Sequence, residues 1–472
     1  MLTTLLVALA VASGEGLPVK SPAAVGMSAA RLRVIDRVVT HGITAGGFPG
    51  AAVVVGRKGA AVWHKGFGRL DWATKSPRVS PSETIYDLAS LTKVVGTTTA
   101  VMILYDQGLI HLDDPVSKYL PEFTGRYKDA ITIRLLLEHR SGLPADRPLW
   151  RLASSPEEAR RIVLSTAVDY KPGARYVYSD IGAMTLAFVV ERITGRPIDQ
   201  FLHERVFEPL GMTNTFFRPA DSLRDRVAPT EVTPPRGYPL QGEVHDENAY
   251  ALGGVAGHAG LFSTAQDLAV FAQMMLNGGD YDGVRIVADS TVRLFTTRAA
   301  GNRALGWAMA DGQWGSGEFL SNQAYGHVGY TGTSIWIDPD REMFVILLTN
   351  RVHAARARRP AKVIADVRAD LSDAAAIAVT DDPDQLIAMP SSFRADLAQG
   401  WNKPVRPARR KPVRKATRKT VAHKSVTHKS VTHKSSSARG TAANAVKKSS
   451  AVKKSPAVKA KTTSSQATKK AG

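Results

Sequence analysis

Apolar residues first recur at helical spacing. Leu32, Ile35, Val38 and Val39 fall on one side of residues 29–40, with Ser28 placed to cap the segment. Gly46-Gly47-Phe48-Pro49-Gly50 ends that helix. The period then shortens, and residues 51–55 and 60–63 read as a hairpin around Gly56-Arg57-Lys58-Gly59. Residues 94–104 are apolar on all sides, which predicts a buried helix rather than a surface one. Further helices are predicted over 131–138, 156–163 and 183–193, the last closed by Gly195. Ser263 with Gln266 reads as a capping box for another, ending near Asn277. From Ala304 strands return, over 325–330, 334–337 and 344–348, before a closing helix at 361–371. Strands at both ends with helices between predict an α/β (α+β) chain. Its sheet layer is assembled from about 22–86 and 290–375, and its helical part spans about 87–289.

The last seventy residues break this pattern. Val421-Ala422-His423-Lys424-Ser425 is followed by two near copies, ending at Ser430 and Ser435, and a six-residue repeat covers 445–456. Such a composition buries too little apolar surface to offset the entropy of ordering, so 381–472 is expected to be a disordered linker and Lys-rich tail. Splitting the charge by region sharpens the point. The chain has 62 basic and 42 acidic residues, a formal +20. Residues 401–472 hold 21 Lys and Arg and no Asp or Glu, leaving 41 basic against 42 acidic residues, or −1, for the rest. Basicity therefore belongs to an appendage, which suits a polyanion bound by counterion release. That partner is an envelope polymer if the protein is exported, and nucleic acid if it stays in the cytoplasm. The apolar run 2–12, ending Ala10-Val11-Ala12, resembles a signal peptide and favours a periplasmic or secreted protein. No segment reads as a transmembrane span. With no cysteine, thiol nucleophiles, thiolate metal sites and disulfides are excluded.

Candidate chemistry starts at Asp87-Leu88-Ala89-Ser90-Leu91-Thr92-Lys93. Ser90 and Lys93 lie three apart, so a helix beginning near Ser90 places hydroxyl and amine on one face. A serine hydroxyl becomes a useful nucleophile only when a neighbour takes its proton. Lysine can do so if its pKa is lowered, for which burial is the usual means. A nucleophile at the first turn also has free backbone N–H groups beside it. The spacing alone decides nothing, since it recurs at Ser450 and Lys453 in the tail.

Tyr178-Ser179-Asp180 and His327-Val328-Gly329 supply the context. In this order, and with the flanking segments 132–144 and 329–334, the three motifs resemble the serine β-lactamase and penicillin-binding protein superfamily. The form is nearest class C β-lactamases, Streptomyces-type DD-peptidases and related esterases. Segment 245–260 looks like the penicillin-binding protein 4B branch. The resemblance covers roughly 22–375 and implies an antiparallel sheet flanked by helices plus an all-helical domain. It also implies a serine hydrolase acting through an acyl-enzyme on Ser90, with no metal or cofactor. The substrate would be a cell-wall peptide or a small molecule: amide hydrolysis of the β-lactamase or DD-carboxypeptidase type, with carboxylesterase or slowly turning-over penicillin-binding protein as alternatives. Lys93 and Tyr178 would share the proton traffic, His327 would supply hydrogen bonding and partial charge, and the N–H groups of Ser90 and Tyr330, just after Gly329, would form the oxyanion hole.

Two departures bear on substrate. The second motif usually ends in asparagine, which can donate to a substrate carbonyl, whereas an ionised Asp180 can only accept. His327 stands where many relatives have lysine, weakening a permanent carboxylate-binding charge. His139 reads as a structural hydrogen-bonding histidine. His245, Asp246 and His258 lack the spacing of a metal site, and Gly253, Gly254 and Gly257 read as loop backbone passing near the active-site floor.

Overall fold

Val53, Val54 and their neighbours in β1, Gly50–Arg57, are all buried, although successive side chains of a strand point to opposite faces. Both faces of the sheet must therefore be covered. The computed structural model describes residues 16–313, 315–353 and 358–402, and shows how. β1 pairs with β2, Ala60–Gly68, through the turn Lys58-Gly59, where both residues have positive φ, as the tight hairpin connection requires. The other strands come from the far end of the chain: β3, Ala308–Met309; β4, Tyr325–Val328; β5, Ser334–Asp338; and β6, Met343–Thr349. The sheet order is β2-β1-β6-β5-β4-β3, antiparallel throughout, with Ala51 opposite Thr349 and Ser334 opposite Leu347.

Five helices matter for the site: α1, Val34–Thr44; α2, Thr99–Asp106; α3, Asp180–Thr194; α4, Ala265–Leu276; and α5, Pro360–Ala378. One face of the sheet, with Ala51, Val53, Val55, Val345 and Leu347, packs on α1 and α5. The opposite face, with Ala52, Val54, Ile346 and Leu348, shares one continuous core with α2, α3 and α4. The helical part thus buries its apolar surface against the sheet. The mixed helix-and-sheet architecture agrees with the pattern read from the sequence.

Several details differ. The first helix begins at Ser28 as predicted but is interrupted at Arg33 before α1. α4 is capped by Thr264, not Ser263, because Ser263 ends a short strand and its hydroxyl pairs with Thr215; Gln266 turns away to Ser82. The segment after Ser90 is a 3₁₀ turn, Ala89–Leu91, then a π-helix, Thr92–Thr98, before α2. The Thr99 hydroxyl bonds the Val94 carbonyl, five residues back, in this widened turn.

The expected loss of order at Asp381 does not occur there. Residues 381–402 fold back on α5: Phe393, Ala395 and Trp401 are buried, and Trp401 Nε1 donates to Asp366 at 2.7 Å. Arg394 binds Asp370, Asp373 and Glu318. An aromatic anchor and a charge clamp hold a segment whose average composition reads as linker. The signal-like run 1–12 and the tail from 403 lie outside the described residues. No helix among the described residues is long and apolar enough to cross a membrane.

Candidate active site

Ser90 is presented by a bend that the sequence makes costly and the surroundings hold in place. Ala89 has φ +47°, a conformation most residues avoid. Asp87 braces it, accepting the Ala89 N–H at 2.8 Å and the His245 N–H at 2.7 Å. Burial pushes the Asp87 carboxyl upward, against those hydrogen bonds. The third-motif loop is tied to the same bend: Thr331 Oγ1 donates to the Asp87 carbonyl at 2.7 Å and Thr333 Oγ1 to the Leu88 carbonyl at 2.9 Å. Gly329 is required there, since a Cβ would run into the Leu88 carbonyl and the Thr333 hydroxyl.

Lys93 Nζ donates to Ser90 Oγ at 3.0 Å and to the His258 carbonyl at 3.0 Å, and lies 2.7 Å from Asp180 Oδ1. Its ammonium stands 4.9 Å from the centre of the Tyr178 ring. Burial pulls the lysine down, but Asp180 foremost, with Tyr178, outweighs it and holds the ammonium above the ordinary lysine range. The lowering on which a base role for Lys93 depends is opposed by Asp180. Asp180, named from sequence as a substrate-contacting group, instead faces Lys93.

Tyr178 follows an extended segment held by His139. The Val177 N–H donates to the His139 carbonyl and the Ser179 N–H to His139 Nδ1 at 3.1 Å. Ser179 caps α3, accepting from Gly182, and donates to the Pro144 carbonyl at 2.6 Å. The rings of His139 and Tyr178 lie 4.6 Å apart, and those of Tyr178 and His327 5.9 Å. His139 thus shapes the site without facing Ser90. His327 Nδ1 lies 2.9 Å from the Val328 carbonyl. A carbonyl only accepts, so Nδ1 carries the hydrogen and Nε2 is left as acceptor. Burial, then the charges of Arg303 and Lys93, push His327 far below the ordinary histidine range. His327 is thus placed to offer a hydrogen bond through Nε2, and burial works against a charge on its ring.

A cavity of about 520 Å³ joins Ser90, Tyr178, His327, Val328, Gly329 and Tyr330. Tyr330 is 62% exposed, its ring between Arg351, 4.3 Å away, and His245, 5.6 Å away. The same cavity is lined by Arg303, Arg351 and Arg368, none of them singled out from sequence. Arg303 and Arg368 are buried, and among the described residues no carboxylate lies within ion-pair distance of any of the three. Burial pushes Arg303 down from the ordinary arginine range, and its Nε has no partner. Arg368 carried the one available sequence signal, a cation between Val367 and Ala369 on the apolar side of the closing helix.

Of the three loop glycines, Gly257 reaches the floor of the site, whereas Gly253 and Gly254 lie against Pro156 and Arg218 in a separate pocket. Gly257 packs its backbone against Ala183, its carbonyl accepts from Thr97, and the His258 carbonyl serves Lys93. His258 Nε2 pairs with Asp246 at 2.8 Å, and Asp246 also caps the helix Glu247–Ala251. No group suited to hold a metal occurs among the described residues.

Comparison with known proteins gives a consistent picture. The Beta-lactamase family model matches residues 35–369. "Putative D-alanyl-D-alanine carboxypeptidase" from Escherichia coli K12 is 34% identical over 371 residues, covering 71% of this chain and 85% of that protein. Its counterpart in Salmonella schwarzengrund is 36% identical over 375 residues, covering 72% and 87%. Among solved structures, EstCE1, a hydrolase with promiscuous acyltransferase activity, superposes with TM-score 0.58 at 25% identity, covering 72% of this chain and 98% of that one. A penicillin-binding protein homologue from Caulobacter crescentus superposes with TM-score 0.57 at 22% identity, covering 69% and 93%, a likeness of fold.

Proposed function

We propose, proceeding from the premise that this chain belongs to the β-lactamase family of serine hydrolases, that it removes a terminal residue bearing a free carboxylate from a cell-wall peptide, as a DD-carboxypeptidase does. The observation that carries this reading is Arg303: a buried guanidinium without a carboxylate partner, in the cavity that holds Ser90. A buried uncompensated charge is costly unless a ligand completes it. A neutral ester would leave it unmatched, whereas a peptide C-terminus would satisfy it. The departure at Asp180 does not count against an amide substrate, because that carboxylate is engaged by Lys93.

In the proposed reaction Ser90 Oγ attacks the carbonyl, Tyr178 as the phenolate takes its proton and passes it to the amine of the terminal residue as the C–N bond breaks, and Lys93 stays an ammonium that steadies both oxygens. The N–H groups of Ser90 and Tyr330 receive the developing oxyanion, and water then releases the acyl group. The names of the relatives from E. coli and Salmonella support the peptide substrate, and the fold shared with EstCE1 keeps ester hydrolysis in view. The test is release of D-alanine from an acyl-D-Ala-D-Ala peptide, compared with hydrolysis of a neutral p-nitrophenyl ester. Arg303→Met should lose about tenfold or more in kcat/KM on the peptide, the loss of one charge-assisted hydrogen bond, and little on the ester. Equal losses on both substrates would argue against carboxylate recognition.

Acting on cell wall requires export, which the run 2–12 suits; the mass of the mature N-terminus tests it. The basic residues of 401–472 would then hold the enzyme to an anionic envelope polymer, with binding that weakens steeply as salt rises.

A further inference from the structure

Arg368 lies on α5, buried, and its Nη2 donates to two carbonyls, Gly329 and Thr333, each at 2.7 Å. No carboxylate neutralises it among the described residues, and its Nε is unpaired. Its charged neighbours in the cavity, Arg303 and Arg351, are also cations. Burial first, then Arg351, push its guanidinium down to about 9. A lone buried charge held only by carbonyl dipoles is costly to keep. Its placement calls for another use.

The Gly329 carbonyl and the Tyr330 N–H are the two ends of one planar peptide unit. In a trans peptide they point in opposite directions, so the N–H is turned away from Arg368. The carbonyl end is bonded twice, by Arg368 and by the Gly332 N–H at 3.1 Å. Charge drawn onto the carbonyl oxygen makes the N–H of the same unit a stronger donor, since linked hydrogen bonds polarise one another. The Thr333 carbonyl, bonded by the same Nη2, also accepts the Gly329 N–H at 2.8 Å, so one guanidinium fixes both peptides flanking Gly329.

We propose that Arg368 is a positioning residue that polarises and orients the Gly329–Tyr330 peptide, so that the Tyr330 N–H binds the oxyanion more strongly during acylation and deacylation. The proposal rests on the reading of Ser90 as the acylated nucleophile. It differs from substrate binding by Arg368 itself, because it requires no carboxylate on the substrate.

A neutral ester separates the two. The full chain and its Arg368→Met and Arg368→Lys variants are followed on p-nitrophenyl acetate, with burst and steady-state rates, KM and the infrared stretch of the acyl-enzyme carbonyl. Removing a whole oxyanion donor costs about 10²–10³-fold in kcat, and weakening one should cost about tenfold. Arg368→Met should therefore slow both phases about tenfold at unchanged KM and move the carbonyl stretch to higher wavenumber. Arg368→Lys should fall between, and carries the comparison alone if the methionine variant melts early. Wild-type rates and an unshifted stretch in the variants would overturn the proposal while leaving Ser90 as nucleophile. A wild-type chain that never acquires an acyl group would overturn both.

Discussion

Asp180 stands 2.7 Å from Lys93 Nζ, and replacing it by asparagine leaves burial as the main influence on the ammonium. A lysine held above its usual range keeps its charge at all lower pH and loses it only as pH rises through that raised value. Asp180→Asn should therefore bring a descending alkaline limb into the measurable part of the pH–rate profile. It should also cost about tenfold at neutral pH, since asparagine removes the negative charge that faces the ammonium. A profile identical to wild type would show that Lys93 does not act as an ammonium. His139 and His327 are both kept neutral by burial, with nearby cations adding to it. Unfolded, each would take up a proton near pH ~6.5, so the stability tied to them is complete above that pH and falls away as pH drops below it. Asp370, raised by burial to about 6, pulls the other way below its own titration, so the comparison must be between variants. In urea titrations His327→Gln should show a shallower loss of stability than wild type below pH ~6.5; parallel curves would contradict the neutral assignment. Lys93 shows where sequence stops. Its spacing from Ser90 was legible, but the sign of its pKa shift depends on Asp180, 87 positions away and brought close only by the fold.

At the scale of elements, the bend at Ala89 and the loop 329–333 work as one piece, tied by Thr331, Thr333 and the close approach of Gly329. Gly329→Ala must push the loop off the Leu88 carbonyl. The expected result is a folded protein with kcat down by about 10²-fold, as when one oxyanion donor is lost; wild-type kcat would show that the contact is slack. The strands and most helices were legible because alternation and 3.6-residue spacing act locally. The π-helical turn at Thr92–Thr98 was not, since apolar residues on every side give no phase from which to read a widened turn. Residues 381–402 escaped notice for a related reason. One buried tryptophan and one clamped arginine anchor a stretch whose composition is polar overall. Trp401→Ala should cost about 3–5 kcal/mol, the usual range for a large core aromatic. Thermal or urea melts would show it, and a change within error would place Trp401 outside the core.

Over the whole molecule, two distant parts of the chain build one sheet, and the site forms where that sheet meets the helical part. β4 brings His327, the loop beyond it brings Gly329 and Tyr330, the first turn before α2 brings Ser90 and Lys93, and α3 begins at Asp180. The three motifs could be recognised in sequence because each is a short run with fixed local geometry. The arginine wall could not, because Arg303, Arg351 and Arg368 come together only after separate segments have packed, and Arg368 alone leaves a trace in the sequence. Every step proposed above requires that Ser90 become acylated. The most direct measurement is intact-protein mass after incubation with a penicillin and, separately, with a p-nitrophenyl ester, for wild type and Ser90→Ala. A covalent adduct or turnover that depends on Ser90 is expected, with the penicillin adduct mapping to the peptide that contains it. Acylation or hydrolysis that survives unchanged in Ser90→Ala would contradict that requirement.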